Sequence, residues 1–406
     1  MRPDFLCVLL LLPALAAADD LRTEFGGHTK LRVVGQDYPG DSVFHDVIGG
    51  DSLDVFGSLR LNFNARKDRW TFDAAYQLVG LNADSLPLTG LPDDDRRLFD
   101  LTDVIDDSDD SALLHRADRL WIGYTSEKTV VRLGRQALSW GNGLFYTPMD
   151  LVNPFDPAAI DTEYKAGDDM LYVQYLRDSG DDLQFAYVAR RNPVTDDVES
   201  DEATVAVKYH GFAGETEYDL LLAESYGDAV LGVGISRGIG GAVWSADVVV
   251  TDADLDTYLQ LVSGLSYSWI WGGKNMSGAI EYYYNGFGQH SDEYDPQSLA
   301  SNPDLFVRLA RGELFAIGRH YVAGSVMIEM TPLWTLTPTL FTNASDPSAL
   351  LQVVTNYSLS DNMTLLGSIN LPVGANGTEF GGIDSGVPGR YLSTGAGVFA
   401  QFAWYF

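Results

Sequence analysis

Apolar and polar residues alternate with a period of two along much of this chain, and the last stretch is the most regular. From 391 to 406 the positions Leu392, Ala396, Val398, Ala400, Phe402, Trp404 and Phe406 are apolar, while Ser393, Gly395, Gly397 and Gln401 fall between them. Successive side chains of a strand point to opposite faces, so this segment presents one apolar and one polar side. The same pattern sets Leu53, Val55, Leu59, Leu61 and Phe63 against Asp54, Ser58, Arg60 and Asn62, and Trp70, Phe72, Ala74, Tyr76 and Leu78 against Thr71, Asp73 and Gln77. Around Tyr172, Val249, Tyr283 and Val353 both faces are apolar, and the inward side is not assignable from the pattern. Eighteen strands are predicted in all: 30–36, 53–63, 70–79, 117–125, 129–137, 169–177, 182–190, 202–210, 216–225, 228–236, 241–250, 257–269, 275–286, 318–330, 333–342, 349–358, 362–371 and 391–406. Merging or splitting one weak hairpin would make the number sixteen or twenty.

The connections alternate as well. Segments such as 126–128, 237–240 and 331–332 are short, whereas 37–52, 80–116, 138–168, 191–201, 287–317 and 372–390 are long. Short turns on one rim and long loops on the other, with one apolar face per strand, predict an all-β fold: an antiparallel transmembrane β-barrel of about eighteen strands, possessing short periplasmic turns and long extracellular loops. An even number places both ends on the short-turn side, and a barrel of this size has room for an aqueous lumen. A sandwich or propeller has no reason to sort its connections by parity.

Residues 1–18 read as a secretory leader, with Arg2, the apolar stretch Leu6 to Leu15 and a small-residue site at Ala16-Ala17-Ala18; the single barrel domain is expected over 19–406. Cys7, the only cysteine, falls inside that leader, so disulfides and thiolate metal sites are excluded from the remainder. No later stretch is long and apolar enough for a spanning helix. Aromatic residues make up 12 % of the chain and there are 41 glycines, which suits strands and tight turns. The net charge of −31 excludes nucleic acid as a partner and makes cations the natural counter-species. Only about ten residues separate 19 from the first predicted strand, far fewer than the plug of a TonB-dependent transporter would need.

The segment from Val131 to Gly143 reads VRLGRQALSWGNG and continues to Pro148-Met149-Asp150-Leu151-Val152-Asn153-Pro154-Phe155-Asp156-Pro157. It resembles the Gly-Arg-Gln, Ser-Trp-Gly and Asn-Pro run of a poorly characterised proteobacterial outer-membrane barrel family and, more loosely, of the alginate-export porin family. The resemblance covers about thirty residues and implies a β-barrel channel. It carries no substrate, because no arginine-rich lumen is legible in the sequence. A strand running into a Gly/Pro/Asn-rich loop is suited to fold that loop across a lumen. Arg132, Arg135, Gln136, Trp140, Asn142, Asp150 and Asn153 are therefore the candidates for a constriction; the alternative is that they pin the loop to the wall. Alternation puts Arg132 and Gln136 on one face and Arg135 on the other, with Val131 and Leu133, unless a bulge near Gly134 turns it.

Alternation also turns Arg32, Arg60, Asp73, Lys208 and Glu217 inward, together with Lys30, Asp54, Glu202 and Asp219. Loop 80–116 gathers Asp93, Asp94, Asp95, Asp106, Asp107, Asp109 and Asp110, which form either a weak divalent-cation loop or a hydrated surface; the spacing of a calcium loop is absent. Residues 302–314 predict a short helix having Leu305, Phe306 and Leu309 on one side, Arg308 and Arg311 on the other. Trp70, Trp269, Trp271, Trp334 and Trp404 lie beside short turns, as an interfacial girdle would. Phe402, Trp404 and Phe406 form a terminal aromatic signature of the kind read by barrel-assembly machinery. His28, His45, His115, His210, His290 and His320 stand in no catalytic motif, and no cofactor motif is present. The expectation is a non-enzymatic outer-membrane pore for small hydrophilic solutes, in contact with lipid and lipopolysaccharide. The alternatives are a conduit or docking partner of an export or lipid-transport system, and, further off, a barrel enzyme. The oligomeric state is left open.

Overall fold

A computed structural model describes residues 21–290 and 294–406. The leader expected over 1–18 lies outside the described residues. The strands are β1 (Arg22–Asp37), β2 (Asp51–Lys67), β3 (Trp70–Ala83), β4 (Thr102–Asp107), β5 (Ser111–Thr125), β6 (Thr129–Gln136), β7 (Asp168–Leu176), β8 (Asp182–Val188), β9 (Thr204–Ala213), β10 (Thr216–Ser225), β11 (Asp228–Ile239), β12 (Ala242–Asp252), β13 (Thr257–Trp271), β14 (Lys274–Asn285), β15 (His320–Thr331), β16 (Trp334–Asn343), β17 (Ser348–Ser360), β18 (Met363–Val373), β19 (Ile383–Asp384), β20 (Tyr391–Leu392) and β21 (Gly397–Tyr405). Eighteen of them pair antiparallel, each with the next, into one wall. The wall closes where β1 meets β21, from His28 opposite Tyr405 to Gln36 opposite Gly397. The three others stand apart: β4 lengthens a hairpin on β5, and β19 and β20 form a small ribbon. Among the described residues no helix is long and apolar enough to cross a membrane.

Every strand expected from alternation is present, with three boundaries shifted by about six residues or more and the others by about four or fewer. The first begins at Arg22 rather than 30, because the polar, glycine-bearing stretch ahead of Lys30 is zipped onto β2 as far as Arg66. The fourth starts at Ser111, where β4 and β3 supply partners. The last wall strand starts at Gly397, since Tyr391–Leu392 pairs with β19 instead. Two of the short turns, Gly240–Gly241 and Gly272–Gly273, have positive φ at both positions (57° and 89°, 59° and 76°). That is the type I′ geometry whose twist matches the flanking strands, and glycine adopts it without steric cost.

Each wall strand exposes at least one large apolar or aromatic side chain on the outer face, among them Leu31, Leu133, Leu222, Ile280, Ile369 and Val398. A continuous apolar belt of this kind would drive aggregation in water, and hydrocarbon is the solvent it suits. The tryptophans beside the short turns share that outer face, and Phe402, Trp404 and Phe406 project from it next to the barrel seam. On the inner face, Tyr172, Val249 and Tyr283 are buried, which resolves why their strands look apolar on both sides: they pack against a loop inside the barrel.

Candidate functional site

The chain leaves the wall at Gln136 and re-enters at Asp168, and residues 137–167 between them lie within the barrel. Their contacts run round the wall. Trp140 Nε1 donates to Gln184 Oε1 on β8 at 2.7 Å. Asn142 donates through its amide N–H to Asp247 Oδ2 (2.7 Å), and through Nδ2 to Asp247 Oδ1 (2.8 Å) and Asp219 Oδ2 (3.2 Å). Glu281 on β14 accepts the successive backbone N–H groups of Leu144, Phe145 and Tyr146, the last two at 3.0 and 2.8 Å. The Tyr146 ring stacks on Tyr283, centroids 4.5 Å apart. Farther along, Gln352 on β17 donates to the Ala158 carbonyl (2.8 Å). Asp161 accepts from Lys30 (2.8 Å) and Arg32 (3.3 Å) on β1 and from Gln401 (2.9 Å) on β21. Arg60 on β2 lies over the Tyr164 ring at 4.2 Å, and Arg119 on β5 donates to the Lys165 carbonyl.

Two features hold the loop in this path. Met149, wholly buried, seats among Trp140, Ala186, Ala206, Leu221, Val230 and Val249. Asp150 and Lys165 pair at 2.5 Å and join the loop's two arms; Lys165 also donates to the Leu138 carbonyl and to Ser139 Oγ. Burial pushes the Asp150 carboxyl up to about 6 and the Lys165 amine down, while their mutual attraction opposes both shifts. Asn153 has φ of 49°, and its buried Nδ2 has no hydrogen-bond partner among the described residues.

A second loop, 84–110, reaches inward at Asp94. Arg135 is 2 % exposed and donates to Asp94 Oδ2 (2.7 Å), to Asp169 Oδ1 and Oδ2 (3.1 and 2.9 Å), and to the Phe99 carbonyl. Strict alternation would have sent this side chain outward. The backbone at Gly134 takes φ of 122°, and a Cβ there would lie 2.2 Å from the Leu120 carbonyl oxygen, so only glycine permits the turn that brings Arg135 inside. Gln136 is buried beside it and donates to the Met170 carbonyl at 3.4 Å. Arg132 lies over the Trp121 ring at 5.0 Å. Burial alone would raise the Asp94 carboxyl, but the Arg135 and Arg97 guanidiniums hold it below its usual range. Arg135 thus pins loop 84–110, not the loop that follows it in sequence.

The other expected residues divide by position. Arg60 pairs with Asp118 (2.5 Å), Lys208 pairs with Asp219 (3.0 Å), and Asp73 accepts from Asn64 (3.0 Å), while Glu217 is exposed on the face of Asp219 near the short-turn rim. Of the aspartate loop, Asp94 is committed to arginines, Asp93 accepts from the Asp95 amide, and Asp106, Asp107, Asp109 and Asp110 are exposed around the β4–β5 hairpin. Among the described residues no three ligating groups converge on a metal position. The predicted helix is present as Pro303–Ala310, but its faces differ from the expectation: Arg308 is buried over Phe287 at 4.2 Å and pairs with Asp228, while Phe306 points out.

One correction concerns the lumen. Arg32, Arg60, Arg97, Arg116 and Arg135, with Lys30 and Lys165, line a single cavity of about 200 Å³, so an arginine-rich interior does exist. It escapes sequence reading because its members come from β1, β2, β5, β6 and two loops. Glu281 and Asp247, which bind the inward loop, were also missed; a lone carboxylate in an otherwise apolar strand was the available signal.

No protein-family model matches the chain, and no curated protein does. Solved structures do. OccAB4 of Acinetobacter baumannii superposes with a TM-score of 0.54 at 9 % identity over 95 % of this chain and 98 % of that one. A BenF-like porin from Pseudomonas fluorescens Pf-5 gives 0.53 at 8 % identity over 95 % and 98 %, and OccAB1 of Acinetobacter baumannii 0.52 at 10 % over 96 % and 97 %. At such identities the likeness is one of fold, a porin-type barrel over nearly the whole length.

Proposed function

We propose that this chain is a non-enzymatic outer-membrane channel through which small hydrophilic solutes diffuse, narrowed by loop 137–167. The observation that supports the reading most is the opposition of the two faces of one closed wall: apolar all round outside, charged and hydrogen-bonded inside, with an inserted loop. One of the structures it resembles in fold is named a porin. In this reading lipid and lipopolysaccharide cover the belt, the acidic long-loop rim attracts divalent cations, and Phe402, Trp404 and Phe406 meet the assembly machinery. The test is single-channel recording in a planar bilayer. Stepwise currents from the folded protein are expected, and a folded, inserted barrel that stays silent under both polarities would reject a pore. A second reading, a conduit or docking partner of an export or lipid-transport system, rests on the resemblance of 131–157. It gains if inserted barrels are silent alone and conduct only with a partner complex.

A further inference from the structure

We propose that the cavity between loop 137–167 and strands β1, β2, β3, β5 and β6 is a binding site for a small oxyanion carrying two negative charges, a dicarboxylate or a phosphate. The proposal rests on the channel reading for its purpose, though not for its geometry. The cavity holds about 200 Å³, room for several waters or one small organic anion. Seven of the groups lining it are cationic: Lys30, Arg32, Arg60, Arg97, Arg116, Arg135 and Lys165. Arg119 adds an eighth where it meets Asp118. The carboxylates that line the cavity or pair with these groups are Asp94, Asp118, Asp150, Asp161, Glu163 and Asp169. Counted by ion pairs alone, eight positive groups meet six negative ones, inside a chain whose net charge is −31.

That surplus is local and has a definite holder. Arg116 makes its hydrogen bond to a neutral group, Nε to Gln77 Oε1 at 2.9 Å, and its terminal nitrogens have no partner among the described residues. Its neighbours are already oriented: Arg60 is clamped by Asp118 and the Tyr164 ring, and Arg32 by Gln401 and Asp161. A fork of guanidinium N–H groups held in place matches a carboxylate or phosphate, and little ordering remains to be done on binding. On the same wall, His28 Nδ1 is buried without a hydrogen-bond partner among the described residues and can donate to an anion in its Nδ1–H tautomer, while Asp118 Oδ1, likewise buried and unpartnered among them, needs a donor that the anion does not supply. Because the molecule as a whole is acidic, long-range attraction works against an anion; capture has to come from this short-range cluster.

The experiment is titration calorimetry on the full-length protein in detergent at low salt, with succinate and inorganic phosphate as the probes and acetate and free lysine as controls. Binding of succinate or phosphate at least tenfold tighter than acetate, no heat from lysine, and weakening with added salt are expected; which of the two dianions binds more tightly identifies the source. Arg116→Gln should lower that affinity tenfold or more without shifting the unfolding temperature, since Arg116 forms no ion pair among the described residues. Should R116Q fail to fold, R116K keeps the charge and loses the fork, and a several-fold weaker affinity is expected of it. Equal binding of acetate and succinate, no binding of either dianion, or wild-type affinity in the folded variant overturns the site. Currents in a bilayer without dianion binding would defeat this site alone, and dianion binding by a silent barrel would defeat the channel reading alone.

Discussion

Strands β8 to β12 meet loop 137–167 with Ala186, Ala206, Leu221, Val230 and Val249, whereas β1, β2 and β5 meet it with Lys30, Arg32, Arg60 and Arg119. Both half-walls are built from the same alternating strands, and both hold the same loop. On the apolar side Met149 and Trp140 pack directly against those side chains, and the carboxylates there are satisfied by loop amides and by Asn142. On the charged side long cationic side chains meet carboxylates at their tips, and such contacts leave a cavity. The difference shows in the room left between wall and loop: about 200 Å³ remains among the charged tips, against about 50 Å³ beside Val230 and Val249, because ion pairs do not tile a surface as hydrocarbon does. It also separates two kinds of fragility. Apolar packing fails gradually with lost volume, while a buried ion pair that loses one partner leaves a bare charge.

The comparison breaks most sharply at Arg135. Arg135→Ala strands Asp169 without its cation and leaves Asp94 with Arg97 alone, and a destabilisation of about 3–5 kcal/mol is expected. It should show as a lower unfolding temperature and as faster amide exchange across 94–101. Adding Asp94→Asn should recover part of the loss, and an unchanged melting curve for the single variant would deny the pinning role. On the apolar side, Met149→Ala opens a cavity in a fully buried position and should cost about 2–5 kcal/mol, with Met149→Leu costing less than about 1.5. Its signature is local, a rise in exchange over 138–153 and a larger conductance; a variant whose loop amides stay as protected as before would show that packing does not hold the loop.

The smallest effect is one of pH and lies on the long-loop rim. Burial pushes the Glu379 carboxyl up to about 7, although hydrogen bonds from Tyr321 Oη (2.6 Å), the Ile317 amide (3.0 Å) and Asn343 Nδ2 (2.8 Å) favour its charged form. A carboxyl whose folded value is raised contributes stability below its ordinary value and loses it as pH climbs through about 7. Docking of 374–396 should therefore weaken between pH 5 and 8, by at most about 3 kcal/mol. Protection factors of the Glu379 and Ile317 amides, corrected for intrinsic rates, read this directly, and Glu379→Gln should flatten the dependence. A protection factor that is level with pH in the unaltered protein would remove Glu379 as the cause.

The barrel itself was legible because its cause is local. Lipid against one side of every strand imposes a period of two, and type I′ turns such as Gly240–Gly241 need particular residues, so strand number, turn parity and the aromatic end at Phe406 are all written in short windows. The inner wall obeys no such rule. Val249 and Tyr283 are apolar because a loop far off in the chain covers them, Tyr172 because the loop just ahead of its own strand folds back over it, and Glu281 is tolerated in an apolar strand because three amides of that loop meet it. Arg135 turns inward through one strained glycine, and the basic cavity is assembled from strands and loops more than a hundred residues apart. Which side chains share the lumen is settled by closure of the sheet and by where the inserted loop comes to rest, and those are properties of the folded chain as a whole.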